Sequence, residues 1–312
     1  MRAIRQDALG PPEVLQIAEL ERPQPGPTEV LVRVGAAGVN PVDWKTRAGG
    51  GRLGEPPFTV GWDVAGVVEE LGYGVTRFDV GDRVFGMPHF PREAAAYAEY
   101  VTAPSRQFAR IPGGLSETEA AAMPLGSLTA WQTLHDTAAI KPGQRVLIQA
   151  AAGGVGHLAV QIAKAAGAYV IGTARAEGHD FLRELGVDDP IDYTSEDVGA
   201  AVRDVDVVLD LVGGETGRGS LPALRDGGLI INVPSGGDLE ALRRAAGERV
   251  RVAAFLVEPD RVGMEAIAAL VAEGKLRVRV ADTLALEHAA RAHARGEAGE
   301  IGGGKLVLDV AG

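Results

Sequence analysis

The 312 residues carry 31 basic against 42 acidic side chains, a formal charge of −11. That balance argues against nucleic acid or an anionic membrane as the main partner. The absence of cysteine excludes disulfides, thiolate metal sites and a thiol nucleophile. The length suffices for two domains, and an apolar share of 46% with 23% charged residues is ordinary for a soluble globular chain. No basic-then-apolar signal segment opens the sequence, and no apolar stretch approaches the ~20 residues of a membrane span. A cytoplasmic protein is expected.

In chain order, residues 1–6, 14–19 and 29–34 read as short strands punctuated by Gly10-Pro11-Pro12 and Pro23-Gln24-Pro25-Gly26-Pro27. Residues 60–70, 83–85 and 96–102 continue the style, separated by Gly72-Tyr73-Gly74 and Val80-Gly81-Asp82. Many short strands with Gly/Pro turns predict a small β-barrel-like domain. Ser116-Glu117-Thr118-Glu119 ahead of Ala120-Ala121-Ala122-Met123 is a capping-box helix start. Residues 125–134 read as a helix crossing into a second domain.

That domain is organised around Val146-Leu147-Ile148-Gln149-Ala150-Ala151-Ala152-Gly153-Gly154-Val155-Gly156 and the apolar residues that follow at helical spacing. The pattern is strand, tight turn, helix. Gly153 and Gly154 bare the backbone for a ligand, and Gly156 lets the helix lie close on the sheet. The first N–H groups of that helix lack internal partners, so they and the helix dipole favour an anion such as a dinucleotide pyrophosphate. The fingerprint departs from G-x-G-x-x-G in its first slot, which holds Ala151. Gly167 ends the helix, residues 168–173 read as a second strand, and apolar runs at 206–212, 228–233 and 250–257 resemble buried parallel strands. Beyond them come a helix at 259–273 stopped by Gly274, a strand at 278–280, a helix at 286–295 and a closing strand at 305–310. These last residues look too short to fold alone. The fold class expected is therefore α/β: a barrel domain of residues 1–120 completed by 260–312, and an inserted doubly wound parallel-sheet domain at 121–259.

This order of parts resembles the medium-chain dehydrogenase/reductase superfamily, nearest its zinc-independent quinone oxidoreductase and enoyl reductase branch. The phrases that carry it are Gly38-Val39-Asn40-Pro41-Val42-Asp43-Trp44-Lys45, Gly61-Trp62-Asp63-Val64-Ala65-Gly66-Val67-Val68, Val80-Gly81-Asp82-Arg83-Val84-Phe85-Gly86 and Leu128-Thr129-Ala130, with the glycine turn. The resemblance implies a catalytic GroES-like β-barrel domain and an NADP-binding Rossmann domain. Two departures from the zinc-bearing cousins bear on the chemistry. Asn40 stands where they carry a Cys ligand, and Trp62 where they carry a His. Neither amide nor indole is a usual zinc ligand, and no two of the six histidines pair at ligand spacing, so no metal is expected.

Without a Lewis acid, direct alcohol–ketone chemistry loses several kcal/mol of stabilisation. A quinone or a conjugated carbonyl is easier, since hydride adds to a carbon remote from the oxygen. NADPH-dependent reduction of such a substrate is the expectation. Asn40 is the candidate donor to the oxyanion, a role typically worth ~3–4 kcal/mol, and relatives place the corresponding Asn beside the nicotinamide. Its competing reading is an Asx-turn ahead of Pro41. Thr129 matches the family Thr that contacts the nicotinamide carboxamide; its competing reading is a bond back to a helix carbonyl. Trp62 reads as core or pocket filler, and Tyr97, Tyr100, Lys45, His89 or solvent are the proton sources open at this point.

Cofactor-binding candidates are Gly153, Gly154, Val155 and Gly156 at the turn, and Thr173, Arg175 and Tyr193 beyond the second strand. An NAD site wants an acidic residue there for the ribose hydroxyl. Here the first charge is Arg175, which suits a 2′-phosphate, with Glu177 farther along; Tyr193 resembles a family Tyr flanking that phosphate. The run at 250–257 is expected at a sheet edge, where relatives pair across a two-fold, so a homodimer is implied, with Phe255, Leu256 and Val257 lining the nicotinamide pocket. Two other functions fit the sequence: a catalytically idle NADPH-binding regulatory protein, and an alcohol dehydrogenase.

Overall fold

The computed structural model describes residues 1–234 and 238–312. The chain forms two compact units, Met1–Leu128 with Glu258–Gly312, and Thr129–Val257.

The first unit begins with β1 (Arg2–Arg5) and β2 (Gln16–Glu19), an antiparallel pair. It continues through β3 (Glu29–Val39), α1 (Pro41–Gly49), β4 (Asp63–Leu71), β5 (Arg83–Gly86), β6 (Tyr100–Pro104), β7 (Phe108–Arg110) and α2 (Glu117–Ala121). The strand expected at 60–70 starts later, at Asp63, and the one at 96–102 runs from Tyr100. α2 starts where its capping box predicts: Glu119 N–H donates to Ser116 Oγ at 3.1 Å, and Ser116 N–H donates to Glu119 Oε2 at 3.0 Å. α2 packs on β3 and β4, and Ala120 through Met123 are buried. The unit boundary accordingly falls within the next helix, α3 (Pro124–Trp131), and not ahead of residue 121.

The second unit holds β8 (Arg145–Ile148), α4 (Gly156–Ala165), β9 (Tyr169–Ala174), α5 (His179–Glu184), β10 (Asp189–Asp192), α6 (Val198–Ala201), β11 (Val205–Asp210), α7 (Gly214–Gly219), β12 (Leu224–Asn232), α8 (Leu239–Ala246) and β13 (Arg251–Ala254). Among the described residues its six strands are all parallel, in the order β10-β9-β8-β11-β12-β13. Successive strands step outward from β8 on one side, and β11 then starts the other side. The order therefore reverses between β8 and β11, the switch point where doubly wound sheets bind ligands beyond their strand ends. Leu147, Ile171, Val208 and Ile230 form the core of this sheet. β13 is an edge strand, as its sequence predicted, although only four residues long.

The chain then returns to the first unit through α9 (Arg261–Ala272), β14 (Val280–Ala285), α10 (Ala289–Glu297) and β15 (Lys305–Asp309). β15 pairs antiparallel with β3, making a sheet ordered β14-β15-β3-β4-β5-β7, with β6 also on β3. Leu284, Leu306 and Leu308 from the returning segment share a core with Val30, Val64 and Val84, so the tail completes that unit. Among the described residues, no helix is long and apolar enough to cross a membrane.

Candidate active site

Strand register assembles the polar centre of the first unit. β3 pairs with β4 so that Gly38 faces Asp63, and with β15 so that Val39 faces Leu306. One more step of the second register sets Lys305 opposite Asn40. Close approach requires glycine at 38: a Cβ there would lie 2.8 Å from the Asp63 Cβ and 2.3 Å from the Ala121 carbonyl oxygen. Asn40, Asp63 and Lys305 are 2%, 0% and 4% exposed. Asn40 Nδ2 donates to Asp63 Oδ2 at 2.8 Å, and Lys305 Nζ donates to Asn40 Oδ1. Lys305 Nζ also lies 3.4 Å from Asp63 Oδ2, and Leu125 N–H donates to Asp63 Oδ1 at 2.7 Å. Burial pushes the Asp63 carboxyl up, while the Lys305 charge and the Asn40 amide oppose that. Both of its oxygens accept from donors, an arrangement that suits the carboxylate.

Asn40 is also the N-cap of α1, with Pro41 in the first turn. Asp43 closes the cap: its Oδ2 accepts from Asn40 N–H at 2.7 Å and from Tyr97 Oη at 2.9 Å. Tyr97 Oη lies 3.2 Å from His293 Nε2. When the phenol donates to an ionised Asp43, Tyr97 Oη is left to accept from His293 Nε2. Burial raises Asp43 to about 7, against the hydrogen bonds from Asn40 and Tyr97. Burial, helped by the charge of Arg47, lowers His293 to about 3. Tyr97 is pushed well above its ordinary value by burial and by the Asp43 charge.

The remaining candidates of this unit hold other posts. Trp62 is buried, its Nε1–H donating to the Arg92 carbonyl at 2.6 Å and its ring edge-on to Phe90 at 5.4 Å. Tyr100 lies beneath the Arg22 guanidinium, 4.5 Å away. His89 Nε2 is 3.0 Å from the Thr102 carbonyl, and Lys45 is exposed. A zinc ion does not fit at Asn40 and Trp62. The indole has no free lone pair, the Asn40 oxygen is taken by an ammonium, and that buried cation would repel a second one.

In the second unit the turn after β8 is bare and tightly folded. A Cβ on Gly156 would lie 2.2 Å from the Ala150 carbonyl oxygen, and one on Gly153 would lie 3.0 Å from the same atom. Gly153 N–H donates to that oxygen at 2.8 Å, folding the turn back on itself. Gly154 and Val155 then lead into α4, where His157 N–H already donates to the Gly153 carbonyl and Leu158 N–H to the Val155 carbonyl, each at 3.1 Å, so a pyrophosphate fits over the turn ahead of them. Thr173 braces the turn: its Oγ1 accepts from Ala150 N–H at 3.1 Å and its carbonyl from Ala151 N–H at 2.8 Å. β9 and β10 pair so that Asp192 faces Ala174, which brings together the next residues, Arg175 and Tyr193. Arg175 Nε donates to Tyr193 Oη at 3.2 Å, and Tyr193 is 48% exposed. A bare turn followed by an exposed guanidinium and phenol fits a dinucleotide carrying a 2′-phosphate.

Thr129 is buried in α3, and its carbonyl accepts from Thr133 Oγ1 at 2.7 Å. The helix then widens to a π-helical turn over Gln132–Thr137. Beyond β13, Phe255 N–H donates to the Asn232 carbonyl at 3.1 Å; Leu256 is exposed and Val257 buried. The expected strand at 250–257 therefore stops at Ala254, and Phe255, Leu256 and Val257 lie in the segment after it.

Sequence reasoning missed the partners of Asn40. Asp43 was legible as the fourth position of an Asn-x-x-Asp cap, and Asp63 as the one acid in the apolar run from Val60 to Val68. Nothing in the sequence pairs Lys305 with either, because only strand register brings it there.

Known proteins resemble this chain over nearly its whole length. The alcohol dehydrogenase GroES-like domain matches residues 26–113, and the zinc-binding dehydrogenase domain matches residues 185–308. A 2-haloacrylate reductase from Burkholderia is 35% identical over 91% of this chain and 92% of that protein. A quinone oxidoreductase structure from Coxiella burnetii is 38% identical, covers 99% of both chains and has a TM-score of 0.93. The quinone oxidoreductase of Escherichia coli, solved with NADPH, is 30% identical over 99% of this chain and all of that one (100%), with a TM-score of 0.87. A GroES-like unit joined to a doubly wound nucleotide unit defines an oxidoreductase of the medium-chain type. The chain belongs to the medium-chain dehydrogenase/reductase superfamily, in its zinc-independent quinone oxidoreductase and enoyl reductase branch.

Proposed function

We propose that this protein transfers a hydride from NADPH to a quinone or to the activated double bond of an α,β-unsaturated carbonyl compound. The observation that carries this reading is Asn40, an amide held between Lys305 and Asp63 at the position where zinc-bearing cousins have a thiolate. NADPH, when bound, supplies the hydride. Gly153, Gly154, Val155 and Gly156 hold its pyrophosphate at the α4 N-terminus, with Thr173 bracing the turn. Arg175 and Tyr193 receive the 2′-phosphate. Thr129, Phe255 and Val257 are assigned to the nicotinamide end, as the family resemblance implies.

Asn40 Nδ2 has two protons, and Asp63 takes one. The second is assigned to the substrate oxygen, where charge builds as the hydride adds to the remote carbon. A proton then completes the quinol or the saturated carbonyl compound. Tyr97 is not its source, because its hydroxyl is buried and committed to Asp43. Solvent serves instead. The relatives named as quinone oxidoreductases and a 2-haloacrylate reductase support this substrate class. A homodimer through the edge strand β13 belongs to the same reading and is checked by light scattering.

The test is NADPH consumption against a panel of quinones, enones, enals and a halogenated acrylate. Turnover of at least one class is expected. NADPH binding, seen by fluorescence, with no turnover across the panel would instead favour the idle binder.

A further inference from the structure

Asn40 has a part in the proposed reaction, whereas its buried neighbour Lys305 has none so far. A lysine this buried costs several kcal/mol to desolvate, and an apolar residue often serves stability as well or better. Its position gives that charge a use. Lys305 Nζ donates to Asn40 Oδ1 while Asn40 Nδ2 donates to Asp63 Oδ2 at 2.8 Å. The two ends of a carboxamide are nearly the same size, so packing alone does not choose between its two flips. A cation at one end and a carboxylate at the other permit only one. The ammonium also draws electron density through the amide, and such chained hydrogen bonds strengthen one another in a dry interior.

We propose that Lys305 is a positioning residue: held beside Asp63, it orients and polarises the Asn40 carboxamide so that its second N–H is a stronger donor to the substrate oxygen. The proposal rests on the assignment of Asn40 as that donor. It also gives the returning C-terminal strand a part in the reaction, since β15 delivers the ammonium.

The sequence contains two asparagines, Asn40 and Asn232, so selective [15N]Asn labelling yields two side-chain amide signals. In the cofactor-free protein, Lys305→Met is expected to move the Asn40 signal toward the position of a free amide and to leave Asn232 in place. With NADPH and the best substrate of the panel, kcat is expected to fall roughly tenfold or more, short of the ~100–1,000-fold typical of losing a donor outright. The dissociation constant for NADPH should stay within about twofold, because the nucleotide turn lies on other residues. Lys305→Arg, which keeps the cation, is expected to recover part of kcat. Asn40→Ala combined with Lys305→Met should be no slower than Asn40→Ala alone, as for residues acting through one another.

An unmoved Asn40 signal, or losses that multiply in the double variant, would overturn the proposal. If Asn40→Ala slows turnover and Lys305→Met does not, the role of Lys305 fails while that of Asn40 stands. If Asn40→Ala leaves kcat unchanged, the donor assignment fails and takes this inference with it. Should Lys305→Met not fold because Asp63 is stranded, Lys305→Met with Asp63→Asn restores charge balance, and its comparison with Asp63→Asn alone carries the same expectations.

Discussion

Tyr97 gives its hydroxyl proton to Asp43 at 2.9 Å and sits 3.2 Å from His293 Nε2, so one buried phenol joins two titratable groups that burial drives in opposite directions. Asp43 is raised to about 7 and His293 lowered to about 3. Between about pH 4 and 6.5 the folded chain holds an extra proton on Asp43 and lacks one on His293 relative to the unfolded chain. The Asp43 contribution to stability is full below its unfolded value and is lost as pH rises toward 7. The His293 contribution is full above its unfolded value and is lost as pH falls toward 3. The two slopes cancel in the shared window.

Single variants should therefore unmask opposite slopes. Asp43→Asn is expected to leave a protein whose stability rises with pH between about 4 and 6.5. His293→Phe should leave one whose stability falls over the same window, each by up to ~1.4 kcal/mol per pH unit. Urea denaturation at four or five pH values measures both. Parallel profiles for the two variants would show that these groups do not titrate as opposed.

The glycine turn predicts a sharp intolerance. A Cβ at Gly156 would come within 2.2 Å of the Ala150 carbonyl oxygen and 2.7 Å of the Ala151 Cα, both backbone atoms that cannot swing aside. Gly156→Ala must push α4 away from β8. A loss of ~1–3 kcal/mol is expected from overpacking of this kind, together with weaker NADPH binding. Melting temperature and NADPH fluorescence titration check the two separately. Unchanged affinity would mean that the turn does not set the pyrophosphate site.

The same turn was the most legible part of the chain, because its requirements are local. Strand, bare turn and helix follow one another within a dozen residues, and each leaves its own periodicity. The capping box at Ser116 and the edge position of β13 were legible for similar reasons. Asn40 stood out only through the family phrase around it, and its surroundings did not. Asp63 lies 23 residues away and Lys305 265 residues away, and register between β3, β4 and β15 brings them together. Tyr97 illustrates the converse. Its type suggested a proton donor, yet its burial against Asp43 and His293 makes it part of the scaffold.

Arg47 ties the first helix to the last. Its guanidinium is 2% exposed and meets Glu297 through two bonds, Nη2 to Oε1 at 2.6 Å and Nη1 to Oε2 at 3.2 Å, while Nε donates to the Gly10 carbonyl at 3.0 Å. Glu297→Ala strands a buried cation. Because the Glu297 side chain is itself 34% exposed, water relieves part of the penalty, and ~2–3 kcal/mol is expected, below the range for a fully buried pair. Arg47→Met removes the charge along with its bonds and is expected to cost less. Chemical denaturation of both variants tests the order; a larger loss for Arg47→Met would make the guanidinium stem, not its charge, the group that matters.

Cofactor choice turns on Arg175. It follows β9 at the carboxyl end of the sheet, is exposed, and is steadied by Tyr193 at 3.2 Å. A guanidinium offers paired N–H donors that match a phosphate monoester and gain little from a ribose hydroxyl. Glu177, two residues on, is an acceptor that repels a phosphate and would suit the hydroxyl of NADH. Arg175→Ala is therefore expected to raise the KM for NADPH at least about tenfold and to leave that for NADH nearly unchanged. Tyr193→Phe removes the hydroxyl that steadies the guanidinium and should produce a smaller loss of the same sign. The NADPH effect of Arg175→Ala should also shrink as salt rises, since an exposed charge pair is screened. Steady-state kinetics with both nucleotides at two ionic strengths decides it: equal losses for NADPH and NADH would remove Arg175 from the 2′-phosphate site and leave the turn alone to choose.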